Sequence, residues 1–506
     1  MWRRRGWFRV PLCWMMWSWR SHGHTMSTEA RPRVSDPEAP RHAPPRILTE
    51  PRRPARIRAL HAAPWLAVGT VCLGAFMGQL DASIVATALP VIRTNLHASI
   101  ASVEWVVLVY VLVLAGTVAA VGKIADRVGR KLLYTYGFGI FVAGSAACAL
   151  SPSLGVLVLA RLMQAIGAVM LQANSYALIR DVLPATRLGT GLGMQGAAQA
   201  VGLSVGPALG GALTALGGWR LIFLVNIPIG LIGLALGWFL LPRSTQHDPE
   251  SRIDPSGTLL LAAIPAAVLG ALSFAAGSGT PGWVEPALVA LVCLLVIAAV
   301  ARQRKAPGSV LDAALVRVPA FVAGVSAALL SYVVLFGCLV AVPFHLEKSL
   351  HVGPATAGLE LSALPVALAV VAPLGGAIRD RIGPRVPTGL GMLLAAAGMA
   401  LLAVSATRID LIVVALAIAG AGMGLFLAAN NAATMFAAPR QRAGAAGGLL
   451  NMGRGLGTAL GVALTSIVFA SGHGITSVAV LLLVVAILAG AISVTWSPAV
   501  RPASSV

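Results

Sequence analysis

The sequence predicts an all-α integral membrane protein: two six-helix bundles in parallel repeat plus two extra helices, fourteen transmembrane helices in all, with the N- and C-termini cytoplasmic. Composition is the first reason. Of 506 residues, 58% are hydrophobic and 11% charged, with a mean hydropathy of +0.85, against roughly 25% charged in an average soluble domain. The second is a succession of fourteen apolar runs, each near the roughly 20 residues that cross a bilayer. The third is where the basic residues fall. With the N-terminus inside, the inner loops hold seventeen lysines and arginines and the outer loops only four, Arg93, Arg220, Lys348 and Arg408; an excess of this kind marks the cytoplasmic side.

Taken in order, residues 1–64 read as a disordered basic cytoplasmic tail, rich in Pro and Arg. Its first 25 residues carry five tryptophans and five arginines, and Arg9 and Pro11 interrupt any apolar core that a signal peptide needs. Met26 is an alternative start. Runs at 65–89, 103–121, 132–151, 154–179, 188–216 and 219–241 make an N-terminal bundle over 65–241. A linker at 242–319 holds the two extra helices, near 258–277 and 282–301. Runs at 320–342, 355–377, 386–406, 409–437, 443–470 and 475–497 make a C-terminal bundle over 320–497, and 498–506 is a second cytoplasmic tail.

The net charge of +20 does not point to nucleic acid. Thirteen of the 37 basic residues lie in the first 64 and most others fall between apolar runs, the pattern of membrane orientation rather than of a DNA-reading surface. The five cysteines are scattered, with neither metal-ligand spacing nor a disulfide framework. "GLGMQG" (191–196) fits a dinucleotide fingerprint by letters only, since no strand precedes it and no acid follows about 20 residues on.

Comparing the halves exposes a repeat. "GKIADRVGRK" (122–131) returns as "GAIRDRIGPR" (376–385), so Gly122, Asp126, Arg127 and Gly129 are answered 254 residues later by Gly376, Asp380, Arg381 and Gly383. Gly167, Arg187, Gly193, Gly202 and Gly206 match Gly422, Arg442, Gly448, Gly457 and Gly461 at an offset of 255. Parallel halves of this kind characterise one large class of secondary transporter.

These residues carry a resemblance to the major facilitator superfamily, specifically its fourteen-span drug:proton antiporter (multidrug efflux) branch. "GKIADRVGRK" resembles the signature loop between helices 2 and 3. "RLMQAIGAVM" (161–170) resembles the helix 4 motif with its buried arginine, with Ala165 where glycine is usual. "GLSVGPALGG" (202–211) resembles the helix 5 antiporter motif, with Gly202, Gly206, Pro207, Gly210 and Gly211 all present, and "LDASIVATALP" (80–90) the helix 1 motif of the branch. The resemblance covers roughly residues 65 to 497. It implies that the loop carrying Gly122, Asp126, Arg127, Gly129, Arg130 and Lys131, with Asp380 and Arg381 in the second half, is a conformational latch. It also implies that a bend at the helix 5 motif seals the cavity of an exporter.

Residue chemistry adds its own expectations. Gly202, Gly206 and Gly210 lie four apart, a stripe that lets a second helix approach, and Pro207 removes a backbone donor. Asp126 is expected to start helix 3, favour its positive end and pair with a neighbouring arginine. Four charges fall clearly inside spans: Asp81, Arg161, Glu360 and Arg454. Asp81 lies nine residues before Pro90, roughly 13 Å of helix, and Arg161 about 10 Å below the outer end of helix 4. At matched depth on two cavity-lining helices of the resembled fold, they are expected to interact. Burial disfavours a carboxylate and a guanidinium beside it favours one, so a small rearrangement can move a proton on and off Asp81. Glu360 is a second candidate for proton or substrate; Arg454 is a gating or structural arginine.

The function expected is proton-coupled antiport, exporting amphipathic, often cationic drugs or toxic metabolites by alternating access. Its partners are those small molecules, protons and membrane lipids. No cofactor is expected beyond the proton gradient, nor a metal, nucleic-acid or enzymatic role, and the protein is expected to be a monomer in a bacterial inner (plasma) membrane. A dedicated exporter of one natural product or lipid, and a non-transporting sensor on a transporter fold, are the rival readings.

Overall fold

The computed structural model describes residues 50, 53–244 and 313–496, apart from 99, 104 and 353, with scattered positions between 256 and 302. Of the tail expected over residues 1–64, residues 1–49, 51 and 52 lie outside the described residues, as do the start at Met26, nearly all of the extra pair at 258–277 and 282–301, and residues 498–506; within the described part Ala55–Arg58 is helical rather than disordered. Among the described residues the structure is helical. Eleven helices are long and apolar enough to cross a membrane, and twelve when a bent pair counts as one span.

The first half holds α1 (Ala63–Asn95), α2 (Trp105–Val128), α3 (Arg130–Ala149), α4 (Leu154–Val182), α5 (Leu188–Gly217) and α6 (Leu221–Leu224 continuing as Asn226–Leu240). In the second are α7 (Pro319–Lys348), α8 (Pro354–Leu361 continuing as Ala363–Ile382), α9 (Arg385–Val404), α10 (Ile409–Ala437), α11 (Ala443–Ala470) and α12 (Ile475–Trp496). Proline in the first turn starts α1 and α7, where the missing N–H costs nothing. The Ser153 side chain caps the start of α4. Leu159, Ile166, Val370, Leu393 and Ile487 stand exposed around the outside, as lipid contact requires.

Small residues set the packing. At Gly144 an added Cβ would sit 2.6 Å from the Gln164 nitrogen, and at Gly167 2.5 Å from that of Phe141, so α3 and α4 touch backbone to backbone. Gly398 and Gly422, at the repeat offsets, press α9 and α10 together in the same way, 2.8 Å from the Ala419 nitrogen and 2.5 Å from that of Ala395. Close approach of this kind gives helices dispersion contact that lipid-facing leucines do not. Gly202 and Gly206 pack α5 on α1, where Ser83 Oγ donates to the Gly202 carbonyl at 3.2 Å. Around Pro207, the stretches 185–206 and 208–217 meet at 44°. Gly211, also part of the motif but not of that stripe, faces open space.

Within each half the helices pack among themselves; between the halves the principal contacts are α5 with α8 and α2 with α11. These two contacts are counterparts under the repeat. The join is tightest at one end, where a Cβ on Gly122 would meet the Gly444 carbonyl and one on Gly376 that of Gly189.

Candidate functional site

Three groups of residues stand out, two on the seam between the halves and one inside the first half. The first lies at the end where α2 and α8 finish. Asp126 Oδ1 accepts from the Gly444 N–H and Oδ2 from the Ala445 N–H, each at 2.8 Å. Asp380 Oδ1 accepts from the Gly189 N–H and Oδ2 from the Thr190 N–H, again at 2.8 Å, with Thr190 Oγ1 donating to Oδ2. Each carboxylate thus satisfies orphan N–H groups at the start of a long helix of the opposite half and meets its positive end. Asp126 lies in the last turn of α2 and faces the start of α11, a correction to the expectation that it starts and serves helix 3. The reason is Gly129, whose φ of +122° turns the chain sharply between α2 and α3, as Gly383 does at +88° after α8.

Arginines surround both carboxylates. Arg130 donates to Asp126 at 2.9 Å, to Asp181 at 2.7 Å and to the Arg440 carbonyl at 3.2 Å. In the second half Arg379, rather than the expected Arg381, binds Asp380 at 3.0 Å and the Ala185 carbonyl at 2.9 Å. Arg381 and Arg127 are exposed. Lys131 Nζ donates to the Leu241 carbonyl at 2.8 Å. Glu50, which the sequence reading put in the tail, is buried here: it accepts from Ser244 Oγ at 2.7 Å and from the Leu132 N–H at 3.3 Å.

The second group is a polar core inside the first half. Arg161 Nη1 lies 2.6 Å from Asp81 Oδ2, both side chains fully buried. Asp81 Oδ1 accepts from Gln164 Nε2 at 2.8 Å and Asn226 Nδ2 at 2.9 Å. Arg161 Nε donates to the Val106 carbonyl at 3.0 Å, and Gln164 also donates to Ser145 at 2.8 Å. Five helices, α1, α2, α3, α4 and α6, thereby share one network. Three donors thus surround one carboxylate. Arg161 Nη2 and Asn226 Oδ1 have no partner among the described residues. At the 255 offset the second half has Leu416 and Ala419 in place of Arg161 and Gln164, both buried, so this network belongs to one half alone.

The third is a cavity of about 460 Å³ between the halves, lined by Gln79, Tyr110, Gln172, Tyr332, Phe336 and Arg454 among others. It lies at mid-depth and toward the end away from Asp126 and Asp380: its α8 residues start at Gly358, four residues in from the far end of that helix, while Asp380 is at the other. Asp81 and Arg161 are not on its wall, a correction to the expectation that they face it. Tyr110 separates them, with one side on the cavity and its ring 4.4 Å beneath the Arg161 guanidinium. Glu360 is half-buried and off the cavity wall, although Gly358, Leu361 and Ser362 line it; the structure does not bring Glu360 to Asp81. Among the described residues that line the cavity, the only charge is Arg454. It donates to Asn451 at 3.1 Å and Gln199 at 2.7 Å, and to the hydroxyls of Tyr176 and Tyr332.

Several of these residues carry no strong sequence signal. Gln164 stands three residues after Arg161 on the same face, which could have flagged it, and Asn226 is an amide in an apolar run. Arg379, Tyr110 and Glu50 depend on side-chain direction and on tertiary packing.

Comparison with known proteins fits this arrangement. The family described as Major Facilitator Superfamily matches residues 71–340 and again 324–506. The riboflavin transporter RibZ of Clostridioides difficile (strain 630) is 32% identical over 409 residues, covering 80% of this chain and 88% of that protein. The multidrug resistance protein Stp of Mycobacterium tuberculosis (strain CDC 1551 / Oshkosh) is 32% identical over 408 residues, 79% of this chain and 74% of the other. Among solved structures, the proton:xylose symporter XylE superposes with a TM-score of 0.63 over 86% of this chain and 96% of that one, at 15% identity.

Proposed function

The chain belongs to the major facilitator superfamily and is a multi-pass inner-membrane transporter, and on that premise we propose that it exports an amphipathic small molecule in exchange for protons by alternating access. The observation that carries the proposal is the pair of repeat-related latches, Asp126 on the α11 start and Asp380 on the α5 start, closing one end of a seam with a cavity at its centre. The latch end faces the cytoplasm, in keeping with the basic loops around it, and the state described is the one closed to the cytoplasm. When both latches part and the far end closes, the same cavity faces the other side.

Proton coupling is assigned to Asp81. A proton on Asp81 removes the charge that holds Arg161, Gln164 and Asn226, and so loosens α1 against α4 and α6. Because Tyr110 closes Asp81 off from the cavity, the substrate acts on it through the packing of Tyr110 and α2 rather than by touching it. Reciprocal weakening of the two binding events is enough for antiport.

The test is transport by purified protein in proteoliposomes across a panel of amphipathic compounds. Antiport predicts accumulation above protein-free vesicles when the vesicle interior is acidic, abolished by a proton ionophore. Accumulation only with an acidic exterior would establish symport instead.

A further inference from the structure

Among the described residues, the other buried arginines have acids beside them. Arg161 has Asp81 at 2.6 Å, Arg130 has Asp126 at 2.9 Å and Asp181 at 2.7 Å, and Arg379 has Asp380 at 3.0 Å. Arg454 differs. It is 6% exposed and lies on the wall of the central cavity. All of its partners, Tyr176, Gln199, Tyr332 and Asn451, are neutral, and among the described residues no carboxylate lies within ion-pair distance. Its Nε finds no acceptor among the described residues, although it is buried. A guanidinium in a poorly solvated site with one N–H unused is an incomplete arrangement, which an anionic oxygen pair completes because planar carboxylates match the guanidinium fork.

The rest of the wall suits the other end of such a molecule. Tyr332 and Phe336 lie stacked with centroids 5.9 Å apart, and Leu114, Leu203 and Leu339 complete an apolar surface. An adjoining cavity of about 50 Å³ also includes Arg454 and again has, among the described residues, no other charged residue on its wall. A cationic ligand would meet only a like charge here, because Asp81 is closed off behind Tyr110.

We propose that the cavity takes an amphipathic anion, a carboxylate or similar acid on an apolar planar body, with Arg454 as the residue that recognises the acid group. This rests on the reading of the cavity as the site of the transported compound, and it reverses the charge preference expected from sequence. The seat has a mechanical consequence. Tyr176 and Gln199 belong to the first half, whereas Arg454, Asn451 and Tyr332 belong to the second, so an anion that takes over Arg454's N–H groups releases hydrogen bonds across the seam that must open.

Binding separates this proposal from the exporter reading. Radiolabelled pyrenebutyrate, pyrenebutanol and pyrenebutylammonium share one apolar body and differ in charge; their equilibrium binding to the protein in zwitterionic nanodiscs is corrected against empty nanodiscs. The expected result is a preference for pyrenebutyrate over pyrenebutylammonium of about tenfold or more. In Arg454→Gln that preference collapses while pyrenebutanol binding persists, and in Arg454→Lys it survives in weakened form. If Arg454→Gln does not fold, the wild-type ordering and the lysine variant carry the test. Equal binding, preference for the ammonium, binding of none of the three, or an unchanged preference in Arg454→Gln overturns the proposal. Arg454-dependent binding without proton-driven transport would leave it standing and defeat the exporter reading; proton-driven transport of another compound, with none of these bound, would do the reverse.

Discussion

Replacing Asp126 by asparagine probes the latch with almost no change of shape. The carboxylate accepts two backbone N–H groups across the seam, both at 2.8 Å, and two bonds from Arg130 at 3.0 and 2.9 Å. Hydrogen bonds to a charged group contribute about 1.5–3 kcal/mol each and neutral ones about 1. The amide keeps one acceptor oxygen but turns its NH2 toward a second donor, so roughly 2–3 kcal/mol of closed-end stability is lost. The open population then rises roughly 30- to 150-fold. Arg127 and Arg381, exposed on opposite halves at this end, are suitable sites for spin labels in a background without native cysteines. Double electron–electron resonance should show a short distance in the parent and a longer, broader distribution in Asp126→Asn. The double variant Asp126→Asn/Asp380→Asn should move further, since the two latches share no partner and their costs add. A parent-like distribution in the double variant would refute the assignment of these carboxylates as latches.

Other substitutions should sort in the same framework. Gly122→Val and Gly376→Val place a branched side chain against a carbonyl of the facing helix, so each should also open the labelled end, overpacking costing about 1–3 kcal/mol. Arg161→Gln strands the buried Asp81 charge and should lower thermal stability in detergent by about 3–5 kcal/mol; adding Asp81→Asn should recover part of the loss. Arg408→Ala should leave the melting temperature unchanged, because its pair with Asp410 is more than 60% exposed on both sides.

Much of this architecture was legible in the sequence, because it follows from periodic or symmetric constraints. Apolar length located the twelve described spans, with ends off by up to seven residues, as at Val128, and the 254-residue offset flagged Asp126 with Asp380 and Gly122 with Gly376. Depth counting set Asp81 level with Arg161, since both distances follow from helix rise alone. Side-chain direction was not legible. Arg381 and Arg379 are two residues apart on one helix end, and only the packed partner helix decides that the second of these reaches Ala185. The same limit hid Tyr110, which converts Asp81 from a wall residue into a sealed one. Arg454 was visible as a buried charge, but its lack of an acidic partner is a property of the assembled seam.

The assignment of the proton to Asp81 within an alternating-access exporter is tested most directly by separating exchange from coupling. In proteoliposomes, wild-type protein and Asp81→Asn are compared on the compound that the wild type accumulates, once with an acidic interior and once at equal pH with unlabelled compound preloaded inside. Exchange at equal pH needs the cavity and the latches but no net proton movement. Asp81→Asn should therefore keep exchange and lose accumulation driven by the pH gradient, whereas accumulation in acid-loaded vesicles at the wild-type level would contradict the account.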